Sequence, residues 1–343
     1  MIRIGLFLLA VAAVLLAGGL LLPDRVVVER TTVIERPAAT VFTLLNGFRT
    51  WGEWSPWVER DPTLAWTRSG PDTGVGAVVE WDGDPARVGV GRQRIVASEP
   101  WRRVVLASEV AGQGSATLTY RVDGDGLGSR VTWRYESDVA DWEGRFGGVV
   151  GRYFGWFLAR WVGRDFEIGL ARLRAFAERL PRADFADAGI ERVAVFAVPV
   201  ARVGGIRADG GADLETRLAD AFQAISRWAV RAEVSLGDAP LVLTRGIGSD
   251  APEFVAALPL TGAVQGEPPP PVTLGQTPAG DAACALHEGF MKDSLAVYAR
   301  LEAWLAAEGL PAGATAWERY LSDPRAAGDG RAAVEVCRLI EAG

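Results

Sequence analysis

The chain has 343 residues, 36 basic and 43 acidic side chains, a net charge of −7, and 49% apolar residues including 13 tryptophans. That length favours two domains of roughly 150 residues, each able to bury its own core, and the apolar content excludes a disordered chain. An acidic balance without basic runs interleaved by aromatics excludes nucleic acid as an expected partner. Lys292 is the only lysine, so the many arginines read as compositional bias rather than as phosphate clamps.

Residues 4–22 carry neither charge nor proline, matching the ~20 residues that a helix needs to cross a bilayer core. Arg3 stands on one side of this run, and Asp24, Arg25, Glu29 and Arg30 on the other. Residues 1–24 are therefore expected to form a single-pass transmembrane anchor, with the rest of the chain on the outer, periplasmic or extracellular face. A cleaved signal peptide is the rival, but Ala17, Gly18 and Gly19 are followed by three leucines, a poor cleavage site.

After this run, residues 26–34 read as a strand, and Pro37 starts a short helix with Val41, Phe42 and Leu45 on one face. An aromatic loop follows, with Trp51, Trp54 and Trp57 around Pro56. Six strand-like runs come next, near residues 64–68, 75–81, 88–97, 103–110, 116–122 and 130–137, separated by turn residues. A helix over residues 150–180 closes the unit, its apolar residues recurring at three- and four-residue steps from Phe154 through Trp161 and Phe166 to Phe176.

This order resembles the SRPBCC (START-like, polyketide cyclase-like) helix-grip superfamily over residues 25–180. The likeness is clearest at residues 37–42, 51–57, 95–100 and 166–173. It implies an antiparallel sheet gripping a long C-terminal helix around an apolar cavity. The fold hosts carriers, receptors and enzymes alike, so it does not fix a function. Trp51, Trp54 and Trp57 are candidate ligand-binding residues at the cavity mouth, or else they plug the sheet. Glu80, Arg94, Glu109, Tyr120 and Tyr135 are the polar strand residues that an enzyme of this fold could use, against the plainer reading as surface groups and structural tyrosines. Gly89-Val90-Gly91 leads into a strand, not a helix, and is no phosphate loop.

A short polar linker, residues 181–189, leads to a second domain over residues 190–343. There a strand (193–200), a helix (214–230) and two strands (241–244 and 254–260) form one module. A stiff segment with four consecutive prolines, 268–271, separates it from a second module. In the second module the run Ala316-Trp317-Glu318-Arg319-Tyr320-Leu321-Ser322-Asp323-Pro324 sets a carboxylate and a phenol two residues apart. In a strand, Glu318 and Tyr320 share a face while Trp317, Arg319 and Leu321 take the other. If the polar face is covered, the carboxylate needs a partner or ligand; if it is open, the pair is simply solvated.

Together with Pro278-Ala279-Gly280, residues 282–289, a helix through Tyr298 and Trp304, and Gly309-Leu310-Pro311, that run resembles the GyrI-like effector-binding family. The likeness implies two strand-helix-strand-strand modules with a ligand cleft between them, and Glu318 in the cleft. The whole chain is thus expected to be α+β. Cys284 and Cys337, the only cysteines, are read as small buried residues, with a disulfide left open. No cofactor is expected, and no metal, since His287 is the sole histidine. The leading expectation is a membrane-anchored binding protein for apolar or amphipathic small molecules. Two alternatives stand beside it: a hydrolase or cyclase-type enzyme with Glu318 as general acid or base assisted by Tyr320, and a ligand-responsive protein-interaction module.

Overall fold

The computed structural model describes residues 2–111, 114–126, 128–138, 148–207, 213–247, 249, 251–290, 294–322 and 331–341. It divides into two compact units, Met1–Asp184 and Phe185–Gly343. Asp323 and Pro324, at the end of the Glu318 motif, lie outside the described residues.

In the first unit, strands β1 (Arg25–Ile34), β2 (Ala65–Ser69), β3 (Val78–Asp82), β4 (Val90–Glu99), β5 (Arg103–Val110), β6 (Gly114–Asp125) and β7 (Gly128–Asp138) form one sheet. Its order is β1-β7-β6-β5-β4-β3-β2, every neighbouring pair antiparallel. Because β2 to β7 are consecutive, the sheet is a meander closed by β1 returning to β7. Helix α1 (Ile2–Leu21) precedes the sheet, and α2 (Ala38–Leu45) follows β1. The expected aromatic loop is in fact two short helices, α3 (Trp51–Trp54) and α4 (Pro56–Arg60). Ser55 is extended between them and Pro56 occupies the first helical turn of α4, where its missing N–H costs nothing. The long helix α5 (Gly148–Ala177) carries Phe166, Leu170, Leu173 and Ala177 into the main core, at the three- and four-residue steps of one face.

The expected membrane anchor over residues 4–22, and the outer-face localisation that rested on it, are not upheld. Among the described residues no helix is long and apolar enough to cross a membrane. Helix α1 does form, but polar side chains of α5 hold its C-terminal half. The Tyr153 hydroxyl donates to the Leu15 carbonyl at 2.8 Å, and Arg152 donates to the carbonyls of Gly19 and Leu20 at 3.3 Å each. Arg152 also pairs with Asp24 at 2.5 Å. A phenol and a guanidinium of α5 thus hold backbone carbonyls in the last two turns of this run.

The second unit contains β8 (Glu191–Val195), β9 (Pro199–Arg207), α6 (Asp213–Arg231), β10 (Leu241–Arg245), β11 (Glu253–Pro259), β12 (Thr273–Gln276), β13 (Gly280–Phe290), α7 (Ser294–Glu308), β14 (Ala312–Tyr320) and β15 (Arg331–Ile340). The strand expected at residues 193–200 is two strands, because Pro199 has no N–H to continue the ladder. The eight strands run β12-β9-β11-β10-β14-β15-β13-β8 in one antiparallel sheet. Only residues 196–198 separate β8 from β9, and only 277–279 separate β12 from β13. Thr277 N donates to Val198 O at 3.0 Å, and Val198 N donates to Thr277 Oγ1 at 2.9 Å, so the two ends of the strand order meet and the sheet curls on itself.

The curled sheet has two apolar faces. Its inner side is a cluster of Val200, Leu241, Leu243, Val255, Ala257, Trp317 and their neighbours. Cys284 and Cys337 stand directly opposite each other in the β13–β15 register and are joined by a disulfide within this cluster, with Cα atoms 4.1 Å apart. Outside, α6 packs Ala221, Ile225 and Trp228 on β9 and β11, and α7 packs Val297, Leu301 and Leu305 against β13 and β15. The two strand-helix-strand-strand modules therefore place their helices on one face of a shared sheet, giving the α+β architecture expected from the sequence.

Candidate functional site

Strand register locates Glu318. It pairs with Val242 of β10 on one side and Val336 of β15 on the other, and Val242 pairs onward with Ala256 of β11. Ala256 belongs to the cluster under α6 and Val336 to the cluster under α7. The carboxylate therefore projects from the central strands on the helix side, on the floor between the footprints of the two helices. Alternation sends Trp317 to the inner cluster. Arg319, on the same inner-facing alternation, pairs with Glu335 at 2.9 Å and leaves Glu318 alone.

Hydroxyl groups surround the half-buried Glu318. The Tyr320 hydroxyl donates to Oε2 at 2.6 Å, and the Ser294 hydroxyl donates to Oε1 at 3.1 Å. Ser294 is the first residue of α7 and is itself buried, so the carboxylate lies by the end of the helix where backbone N–H groups favour negative charge. Tyr298, one turn further along α7, interacts with both Glu318 and Thr244. Burial first, and the neighbouring Glu318 charge second, push the Tyr298 and Tyr320 hydroxyls far above the usual phenol range. Both remain neutral donors across the physiological range. Ser294, Tyr298 and Thr244 were not among the expected site residues; Tyr298 was named only as part of the helix that carries the family likeness. The detectable signal was the spacing of Ser294 and Tyr298, four residues apart on one helical face.

In the first unit, Trp51 and Trp54 are buried in the core, and Trp57 is partly buried against it. Trp51, Trp57 and Trp81 form a stacked set, with ring centroids 5.6–6.0 Å apart. Trp54 meets Tyr120 and Trp133 edge-on, and Trp133 stacks on Phe166 of α5 at 3.9 Å. Between this aromatic mass and α5 remains a cavity of about 110 Å³ lined by Trp57, Trp81, Arg60, Tyr135, Asp165 and Phe166 among others. Of the three candidate tryptophans, Trp57 alone is on that lining.

The other polar candidates of this unit scatter. Glu80, Arg94 and Glu109 are exposed. Glu80 pairs with Arg92 at 3.5 Å and both, with Glu109, flank an open groove of about 750 Å³ over the solvent side of β2 to β5. Tyr120 is buried in the core, where desolvation raises its pKa well above the usual value. Tyr135 reaches the inner cavity; burial raises its pKa and a hydrogen bond with Ser137 opposes that shift. Sequence reading missed Arg60 and Asp165, which form an ion pair on the cavity wall with the Asp165 side chain largely buried. The available signal was an acidic residue on the apolar stripe of α5, between Val162 and Phe166.

Comparison with known proteins agrees with the architecture. Residues 25–178 match the family described as "Polyketide cyclase / dehydrase and lipid transport", and residues 198–340 match the "GyrI-like small molecule binding domain". The chain thus carries an SRPBCC-type domain followed by a GyrI-like domain. No curated protein matches it. Similar solved structures include protein CV1439 from Chromobacterium violaceum, at 14% identity over 44% of this chain and 97% of the other, with a TM-score of 0.30. An uncharacterized conserved protein from Listeria innocua has 16% identity over 45% of this chain and 93% of its own, with a TM-score of 0.36. The C-terminal domain of EcmrR has 14% identity over 45% and 98%, with a TM-score of 0.39.

Proposed function

We propose that this protein is a binding protein for amphipathic small molecules, and that Glu318 receives the cationic or hydrogen-bond-donating group of the ligand. The observation that carries this reading is a half-buried carboxylate whose described partners are the hydroxyls of Tyr320 and Ser294, with Tyr298 beside them. Hydroxyls satisfy lone pairs without neutralising charge, and a buried charge without a counter-charge is unfavourable. An incoming ammonium or amidinium supplies that counter-charge, and the two phenol rings supply apolar and cation–π contact. Both family matches are to ligand-handling domains, which supports small-molecule binding in general.

The test is calorimetric titration with a hydrophobic quaternary ammonium and its uncharged carbon isostere. Preference for the cation, lost in Glu318→Gln, supports the assignment. Equal binding of both compounds by both proteins sinks it.

A further inference from the structure

Strand β2 ends the first sheet: it is bonded to β3 on one side and, among the described residues, to no strand on the other. Trp66 is half-buried and the rest of β2 is exposed. An open edge of this kind carries a row of backbone N–H and C=O groups that only water satisfies, and it is a template for a further strand. Natural edges are blunted by proline, bulges or charge. β2 has no proline, its register with β3 is unbroken, and Arg68 is its only charged residue.

The solvent side of β2 decides what such a strand carries. Trp66 packs into the core against Trp51, so alternation turns Ala65, Thr67 and Ser69 outward. All three are small. In β3, Asp82 stands opposite Ala65 and Glu80 opposite Thr67, and the Thr67–Glu80 row continues through Arg92 of β4 to Glu109 of β5. These residues, Ser69 apart, border the open groove of about 750 Å³. Three carboxylates therefore share it with one guanidinium. Arg92 pairs with Glu80 at 3.5 Å, while Asp82 and Glu109 have no ion pair or hydrogen bond among the described residues. The next cation on this side, Arg94, stands opposite Val78 at the Ser69 end of β2, beyond the groove, so the negative charge is concentrated at the Ala65–Thr67 end.

Strand spacing joins the open edge to the charge. Neighbouring strands lie about 4.8 Å apart, so a strand added to β2 stands roughly 10 Å from β3. Its outward side chains cross Ala65 and Thr67, which are too short to obstruct them, and a lysine or arginine at that point meets Asp82 and Glu80. The carboxylates alone would attract any cation. The unpaired edge is what selects an extended chain, because strand addition draws affinity from main-chain hydrogen bonds and specificity from alternate side chains. On the other face Arg68 disfavours a second basic residue, so the fitting sequence alternates basic with uncharged residues.

We propose that β2 and the groove beside it are a docking surface for an extended basic segment of a partner protein, added to the open edge of the first sheet with alternate lysines or arginines over Asp82 and Glu80. The surface is on the opposite side of the sheet from α5 and is independent of the reading of Glu318.

The experiment uses the full chain and a fluorescently labelled peptide of alternating lysine and threonine, followed by anisotropy. A second peptide replaces each threonine by proline, which keeps the charge but removes N–H groups that a ladder needs; spermine is the third probe. The lysine–threonine peptide is expected to bind saturably, more weakly at higher salt, and to slow amide hydrogen exchange at residues 65–69. The proline peptide should bind at least tenfold more weakly. Glu80→Gln combined with Asp82→Asn, both at exposed positions, should weaken binding roughly five- to tenfold and leave thermal unfolding unchanged, and Glu318→Gln should bind like the parent. The proposal is overturned if no saturable binding occurs, if the proline peptide or spermine binds as well as the lysine–threonine peptide, or if the amides of residues 65–69 are not protected. Parent-like affinity in the Glu80→Gln, Asp82→Asn variant overturns it as well, and a loss in Glu318→Gln would put the peptide in the second unit with the same consequence.

Discussion

Tyr320 donates its hydroxyl to Glu318 Oε2 across 2.6 Å, from a position two residues further along the same strand. The contact is local, set by the two-residue repeat of β14, so the carboxylate and phenol are positioned together whatever α7 does. Ser294 and Tyr298 then close on the pair from the helix. This division of labour separates two roles for Glu318. As a ligand counter-charge, it loses affinity in Glu318→Gln, by on the order of 1.5–3 kcal/mol for a charged hydrogen bond. As a general acid or base, the same change leaves affinity largely intact while turnover of a reactive ligand falls roughly a hundredfold or more. Calorimetry and product analysis on one variant distinguish these outcomes. Tyr320→Phe should follow in the same direction with a smaller effect.

Alkaline pH gives an independent check on the cluster. Tyr298 and Tyr320 have pKa values raised by burial and then by the Glu318 charge. Below about pH 10 the phenols are protonated in folded and unfolded chains alike, so they add no pH dependence. Above it the unfolded chain releases protons that the folded chain retains. Fewer protons are then bound unfolded than folded, and stability falls as pH rises. The expected loss is up to about 1.4 kcal/mol per pH unit for each tyrosine. Denaturant melts of the second unit's transition from neutral pH to strongly alkaline pH should show this decline, and Tyr298→Phe with Tyr320→Phe should flatten it. An unchanged slope in the double variant would mean that the phenols ionise freely.

Much of this arrangement was legible in the sequence because it follows from periodicity. Alternation in β14 put Glu318 and Tyr320 on one face, and the three- and four-residue steps of α5 gave the gripping helix. What the sequence left open depends on contacts between distant segments. Whether Glu318 was covered required α7 to bring Ser294 and Tyr298 over β14, 24 residues from Ser294 to Glu318 along the chain. The pairing of Cys284 with Cys337 required the β13–β15 register. The apolar run at residues 4–22 was misread because composition cannot reveal Arg152 and Tyr153 arriving from α5. Trp51 and Trp54 show the same limit, since an aromatic-rich segment looks alike whether it lines a cavity or fills it.

The filled interior predicts where the first unit is most sensitive. Trp133 and Phe166 are each 1% exposed, and their rings stack at 3.9 Å to join the sheet to α5. Truncating either to alanine removes a large ring from a site with little freedom to collapse. Each change should cost about 3–5 kcal/mol of stability in denaturant unfolding. A loss below about 1 kcal/mol for Trp133→Ala would show that the α5 contact is loosely packed.

Gly91 offers a sharper test, because its importance lies in a missing atom. It stands opposite Trp81 in the β3–β4 register, and a Cβ built on it would lie 2.3 Å from Trp81 Cζ2, 2.6 Å from Cε2 and 3.0 Å from the Glu109 carbonyl oxygen. The first two atoms belong to a rigid indole that is 3% exposed and packed against both Trp51 and Trp57. No rotation of one flexible chain end relieves the clash; the ring or the strand must move. Gly91→Ala should therefore destabilise the first unit by about 1–3 kcal/mol, as overpacking does, although alanine normally stabilises an extended backbone relative to glycine. Trp81→Leu should rescue Gly91→Ala, since it removes the ring that the methyl group strikes, so the double variant should lose less than the sum of the single losses. Strict additivity in a double-mutant cycle would mean that Gly91 is required for the backbone alone and that Trp81 does not lie against it.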